Sequence, residues 1–172
     1  EAVGLTASDY VKIKREISPE PEQVISNKKP KEKNIFSFDM LGEGARTMED
    51  AEKYFEDYKN SIHHVGKELN NSSDIKYANG VSIKISALHP RYERNKIEDL
   101  NKELLPKLID LCELAKQYNI QLCIDAEENY RLILSLILLE KLSSNSKLAG
   151  WHGLGLAVQA YQKRAFYVID WL

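Results

Sequence analysis

Four short runs of this chain alternate large apolar residues with small or polar ones. They are Ile35-Phe36-Ser37-Phe38-Asp39, Val81-Ser82-Ile83-Lys84-Ile85-Ser86, Gln121-Leu122-Cys123-Ile124-Asp125 and Leu154-Gly155-Leu156-Ala157-Val158-Gln159. Successive side chains of a strand point to opposite faces. Each run therefore predicts a strand with one greasy face, carrying Phe36, Phe38, Ile83, Ile85, Leu122, Ile124, Leu154, Leu156 and Val158. The opposite face carries Ser37, Asp39, Ser82, Lys84, Ser86, Cys123, Asp125, Gly155, Ala157 and Gln159.

Helical spacing fills the gaps between the runs. Ala51, Tyr54, Phe55, Tyr58, Ile62, Val65 and Leu69 recur as one stripe and predict a helix over 48–69. Thr47 is its N-cap, and Asp50 three residues on makes a near capping box. Leu100, Leu104, Leu108, Leu111 and Ala115 predict a second helix over 97–118, ended by Asn119. A third is expected over 129–142 and a last one from about Lys163 to the C-terminus. The strands are expected at about 34–40, 81–87, 121–126 and 153–160. Strands alternating with long helices imply parallel pairing through right-handed crossovers. The fold class is α/β, a parallel β/α barrel of which this chain supplies about the first four β/α units. A full barrel needs eight strands and usually ~250 residues, and the last helix stays apolar to Leu172, so a piece of a larger protein is expected.

The 172 residues suffice for one sizeable core, and a formal charge of -2 argues against a nucleic-acid-binding surface. Residues 1–34 differ from the rest, being rich in Lys and Glu, with Pro19, Pro21 and Pro30 breaking any long helix. They read as a short helix near Ala7–Ile17 and a solvated linker. Residues 35–172 form the barrel portion. No secretory signal pattern or ~18-residue apolar run is seen, and Cys112 and Cys123 fall in different elements, which fits a reducing cytoplasm. His63, His64, His89 and His152 have no zinc-ligand spacing.

The candidate chemistry lies at the strand ends. Lys84 sits mid-run between Ile83 and Ile85, and Asp125 sits at a similar height one strand along. Neighbouring strands are ~4.8 Å apart, so the two charges can pair, with an attraction of about 3–4 kcal/mol at a dielectric of ~20 before desolvation. A β/α barrel places its chemistry at this end. Asp125-Ala126-Glu127-Glu128 is an acidic cluster that offers oxygen ligands to a divalent metal, or else the favourable start of a helix. Gly42-Glu43-Gly44 lacks the third glycine of a dinucleotide fingerprint, since residue 47 is Thr, and reads as a tight turn. Arg91-Tyr92 either caps a site or is solvated.

Four ordered stretches together resemble the flavin-dependent proline dehydrogenases. They are Phe38-Asp39-Met40-Leu41-Gly42-Glu43, Ser82-Ile83-Lys84-Ile85-Ser86-Ala87-Leu88-His89-Pro90-Arg91-Tyr92, Ile124-Asp125-Ala126-Glu127-Glu128 and Gln159-Ala160-Tyr161-Gln162-Lys163-Arg164. The likeness runs from about residue 35 to the end and is strongest to the dehydrogenase domain of bacterial bifunctional proteins. It implies a distorted barrel that holds FAD and oxidises L-proline to Δ1-pyrroline-5-carboxylate by hydride transfer to the flavin, with electrons passed to a membrane quinone. By motif, Lys84 resembles the lysine that binds the proline carboxylate and Asp125 the active-site aspartate. Ala126 resembles a flavin-contacting position and Gln159 the glutamine that hydrogen-bonds the flavin. The resemblance implies a cytoplasmic enzyme that touches the membrane surface. The family's second half of the barrel, with its substrate-clamping arginines, is not in this chain. Alone, the 172 residues are expected to be inactive and to self-associate. The rival readings are a metal-dependent barrel enzyme using Asp125 and Glu127, and a non-enzymatic half-barrel interaction module.

Overall fold

The computed structural model describes residues 34–40, 44–69 and 72–172. The expected helix near Ala7–Ile17 and part of the Gly42-Glu43-Gly44 turn lie outside these residues. Four strands form one parallel sheet: β1 (Ser37–Asp39), β2 (Gly80–Ile83), β3 (Gln121–Ile124) and β4 (Leu154–Leu156). They lie side by side in chain order, β1-β2-β3-β4. A doubly wound sheet reverses direction at a switch point. This one does not, and its sequential order is that of one arc of a β/α barrel.

The register explains the two faces. Phe38 lies opposite Val81, Val81 opposite Leu122, and Leu122 opposite Leu154. Phe38, Val81, Ile83, Leu122 and Ile124 are buried in one core with the helices. On the other face the Ser37 and Ser82 hydroxyls share a hydrogen bond of 3.0 Å, and Asp39 and Cys123 are not buried.

Helix α1 (Met48–His64) starts with a full capping box, in which the Thr47 hydroxyl accepts the Asp50 N–H and the Asp50 carboxylate accepts the Thr47 N–H. The expected stripe is borne out, with Ala51, Phe55, Tyr58, Ile62 and Val65 all buried. Its last turn, Val65–Leu69, widens into a π-helical turn. Gly66 lies there against the ring of Tyr118, and a Cβ at this position would stand 2.3 Å from the ring. This close approach requires glycine.

The helix expected over 97–118 is two helices, α2 (Ile97–Glu103) and α3 (Leu105–Gln117), broken at Leu104. Pro106 is the cause. It has no N–H for the carbonyl four residues back and its ring crowds that carbonyl, so it is tolerated only in a first turn. The leucine stripe survives the break, and Leu100, Leu104, Leu108, Leu111 and Ala115 are fully buried. Asn119 takes a left-handed φ of 50° and turns the chain straight into β3. Helices α4 (Leu132–Ser143) and α5 (Ala165–Trp171) complete the order.

All four strands are shorter than the alternation suggests. After Lys84 the chain leaves the sheet in a 3-10 turn, Ile85–Ala87, whose residues are buried. The apolar alternation continues there because the turn packs its own side chains into the core.

Candidate active site

Lys84 is the first residue past β2, and the register sets its neighbours. Asp39 lies opposite Ser82, two residues before Lys84, and Ile83 lies opposite Ile124, so Lys84 comes level with Asp125. The Asp125 N–H donates to the Ile83 carbonyl at 2.9 Å, which fixes the height of its side chain. The Lys84 backbone N–H donates to the buried Tyr58 hydroxyl at 2.9 Å. With backbone and wall helix so joined, the Lys84 side chain projects onto the polar face.

There the ammonium meets two carboxylates. Lys84 Nζ donates to Asp39 Oδ1 and Oδ2 at 2.9 and 2.8 Å and to Asp125 Oδ2 at 3.1 Å. The expected Lys84–Asp125 pair is thus present. The lysine side chain is 13% exposed and those of Asp39 and Asp125 are 44% and 22% exposed, so the cluster opens at the mouth of the arc. Burial pulls the Lys84 ammonium down, but its hydrogen bonds to Asp39 and Asp125 and their charge outweigh this and hold it above its usual value. Burial pushes the Tyr58 phenol up to about 12. Cys123 is held above its usual value by burial and then by the Asp125 charge, so it stays a thiol and a poor nucleophile.

Asp39 was not among the site residues read from sequence. The alternation places it on the right face, but its link to Lys84 depends on a pairing register between residues 45 positions apart. Tyr58 was read only as part of a helical stripe.

The acidic stretch after Asp125 has a different task from the two considered. Glu127 accepts the Ser86 N–H at 3.0 Å and pairs with Arg131 at 2.6 Å, its side chain 8% exposed. Arg131 also reaches Glu128 at 3.1 Å and lies over the Tyr92 ring. Glu127 is a buried strut, and α4 begins only at Leu132, after a 3-10 turn over Asn129–Arg131. Asp125 and Glu127, which the metal reading needs, are each matched by a cation. Among the described residues no three His, Cys, Asp or Glu side chains are grouped to hold a metal. Tyr92 is a core residue bonded to Ser135 at 2.8 Å, not a site cap.

Ala126 and Gln159 line one small hollow with Asp125, Ala157 and Leu156. Gln159 follows the end of β4. Its Nε2 donates to the Glu127 carbonyl at 3.1 Å, and its Oε1 accepts from Gln162. The glutamine therefore faces the Ala126–Glu127 loop, one strand beyond the Lys84–Asp125 pair. Hydrogen bonds join all four strand-end loops. The Ala45 N–H donates to the Ser86 carbonyl at 2.9 Å, Ser86 to Glu127, and Gln159 to Glu127.

Sequential parallel strands in chain order define one arc of a β/α barrel, and the lysine–carboxylate cluster at their carboxyl ends is its candidate site. The family model for proline dehydrogenase matches residues 23–172, and the chain belongs to the proline dehydrogenase family. It is 49% identical over 152 residues to the Bifunctional protein PutA of Klebsiella aerogenes, covering 88% of this chain and 12% of that protein. A variant of Bradyrhizobium japonicum Proline Utilization A (PutA) superposes with a TM-score of 0.76 at 46% identity, covering 83% of this chain and 15% of that one. A structure of proline utilization A (PutA) with proline bound in remote sites gives a TM-score of 0.78 at 40% identity, covering 98% and 16%. The chain thus spans only a small part of the length of the relatives it matches.

Proposed function

We propose that this chain is the first half of a proline dehydrogenase barrel, within an enzyme that oxidises L-proline to Δ1-pyrroline-5-carboxylate. FAD would be its redox cofactor and a quinone at the membrane surface its electron acceptor, with the enzyme placed in the cytoplasm. The observation that carries the reading is the Lys84 ammonium held between Asp39 and Asp125 at the strand mouth. A cation beside a carboxylate suits a zwitterionic amino acid. Lys84 Nζ takes the substrate carboxylate, and Asp125 lies where the substrate's amine then falls.

The donors present suit the ring end of a flavin. The small side chain of Ala126 and the Gln159 amide line one hollow beside Asp125. Beyond its bonds to the Glu127 carbonyl and Gln162, the Gln159 amide keeps one N–H and one lone pair for an isoalloxazine edge. The diphosphate end finds less here, because Arg131 and Arg164 are engaged by Glu127 and by Asn129 and Gln162. When bound, FAD supplies the hydride acceptor for the C5–H bond of proline. The protein's part is orientation. Lys84 fixes one end of the substrate, and Ala126 leaves room for the ring plane to approach.

The test uses the intact protein. It is expected to be yellow and to reduce an artificial electron acceptor with proline. Lys84→Met is expected to weaken carboxylate inhibitors about 10- to 100-fold, the worth of a charged hydrogen bond, with flavin retained. Lack of proline turnover, or an unchanged inhibitor constant, would overturn the reading.

A further inference from the structure

Asp39 is the closest partner of the Lys84 ammonium. Both of its oxygens accept from Nζ, at 2.9 and 2.8 Å, whereas Asp125 accepts one longer bond of 3.1 Å. An ammonium has three N–H groups and no acceptor. The two oxygens of one carboxylate subtend only about 45° at Nζ, far less than the tetrahedral spacing of its N–H groups, so Asp39 shares one N–H between its oxygens, Asp125 takes a second, and no described residue takes the third. The trio also holds one more carboxylate than cation, so a substrate carboxylate arriving here meets one open donor and an excess of like charge. For a second bond to the substrate, one protein oxygen has to give way.

The geometry shows which. Asp39 grips with two oxygens from the β1 side, and Asp125 with one from the β3 side. We propose that Asp39 is a positioning residue for the substrate site. Its two-oxygen grip fixes one N–H of Lys84 and so aims the other two, including the one now held by Asp125, at the substrate carboxylate. Asp125 is the exchangeable partner. Once released it stands beside the substrate's amine, so a zwitterion enters between Lys84 and Asp125 with both of its charges paired. A carboxylate without the amine gains only half of this exchange. The inference rests on the proposed role of Lys84.

The test compares Asp39→Ala, Asp39→Asn, Asp39→Glu, Lys84→Ala and the Asp39→Ala/Lys84→Ala double variant in the intact flavoprotein. The readouts are KM and kcat for proline, and the binding of cyclopentanecarboxylate, a ring carboxylate with no amine, followed by its perturbation of flavin absorbance. Asp39→Ala is expected to raise KM and the cyclopentanecarboxylate Kd about tenfold, the lower end for a charged hydrogen bond, with kcat little changed. Asp39→Glu restores part of the loss. In the Lys84→Ala background, Asp39→Ala adds nothing, because Asp39 acts through that lysine. Should Asp39→Ala not fold, the isosteric Asp39→Asn is read in the same way. Unchanged or tighter binding in the Asp39 variants, or an additive effect in the double variant, overturns the proposal. If Lys84→Ala leaves cyclopentanecarboxylate binding unchanged, the role of Lys84 itself fails.

Discussion

The Tyr58 hydroxyl accepts the backbone N–H of Lys84 at 2.9 Å, so a residue of the covering helix holds the main chain at the point where β2 ends. Tyr58 is 1% exposed. Tyr58→Phe keeps the ring packing and removes the acceptor, leaving a donor unsatisfied in the interior. The expected cost is about 1–3 kcal/mol, read as a lower urea midpoint than that of the parent protein. An unchanged midpoint would show that the Lys84 N–H does not need this partner.

Asp125→Asn in the intact enzyme removes the negative charge that competes for Lys84 while preserving shape. Turnover of proline is expected to fall. Binding of cyclopentanecarboxylate is expected to tighten, by up to about tenfold, since its competitor for one charged hydrogen bond is gone. Flavin absorbance is expected to stay as in the parent. Loss of both turnover and carboxylate binding would instead make Asp125 a support of the lysine.

Alkali is expected to unfold this domain through groups buried in their protonated forms. Burial raises the Cys112 thiol from 9.0 to about 12 and the Tyr58 phenol from 10.0 to about 12. A group whose folded pKa is raised binds its proton more tightly in the native state. Its contribution is complete below the unfolded value and is lost as pH climbs toward the folded one. Denaturant midpoints are therefore expected to decline above about pH 9. Cys112→Ala should remove the earlier part of the decline and leave the tyrosine part. A flat profile up to pH 11 contradicts this.

The chain expressed by itself is expected to self-associate and to hold FAD poorly. Phe166, Tyr167, Ile169, Trp171 and Leu172, along and just past α5, are each more than half exposed. This much exposed apolar surface on one short helix invites contact with other molecules. Sedimentation, with flavin absorbance recorded on the same sample, tests both points. A monomer carrying one FAD per chain would show the opposite.

The sequence made some of this plain and hid the rest for physical reasons. Lys84 and Asp125 were legible because both fall on the polar face of runs with period-two alternation, Lys84 within its run and Asp125 at the close of the next, and adjacent parallel strands bring such positions level. The capping box at Thr47 and the buried leucine stripe were legible because both are local patterns. Asp39 was not, because its role exists only once β1 is set against β2 in a particular register. The true end of β2 was hidden as well, since Ile85 is as buried in its turn as it would be in a strand. The break at Leu104 was available from Pro106 and was outweighed by an unbroken leucine period. Glu127 is compatible in sequence with a metal ligand or a helix start, and the task it performs needs Arg131 and the Ser86 N–H in space.

The chain of bonds from Ala45 through Ser86 and Glu127 to Gln159 bears on how the mouth can be re-engineered. Loops on a barrel are usually treated as independent inserts, each exchangeable on a fixed frame. Here the loops after β1, β2, β3 and β4 are fastened one to the next. A loop graft that omits its anchor would loosen its neighbours, and Glu127 is shared by two fastenings. Useful variation is therefore confined to the spans between anchors, and a library built there would keep the four loops tied in line while altering what they border.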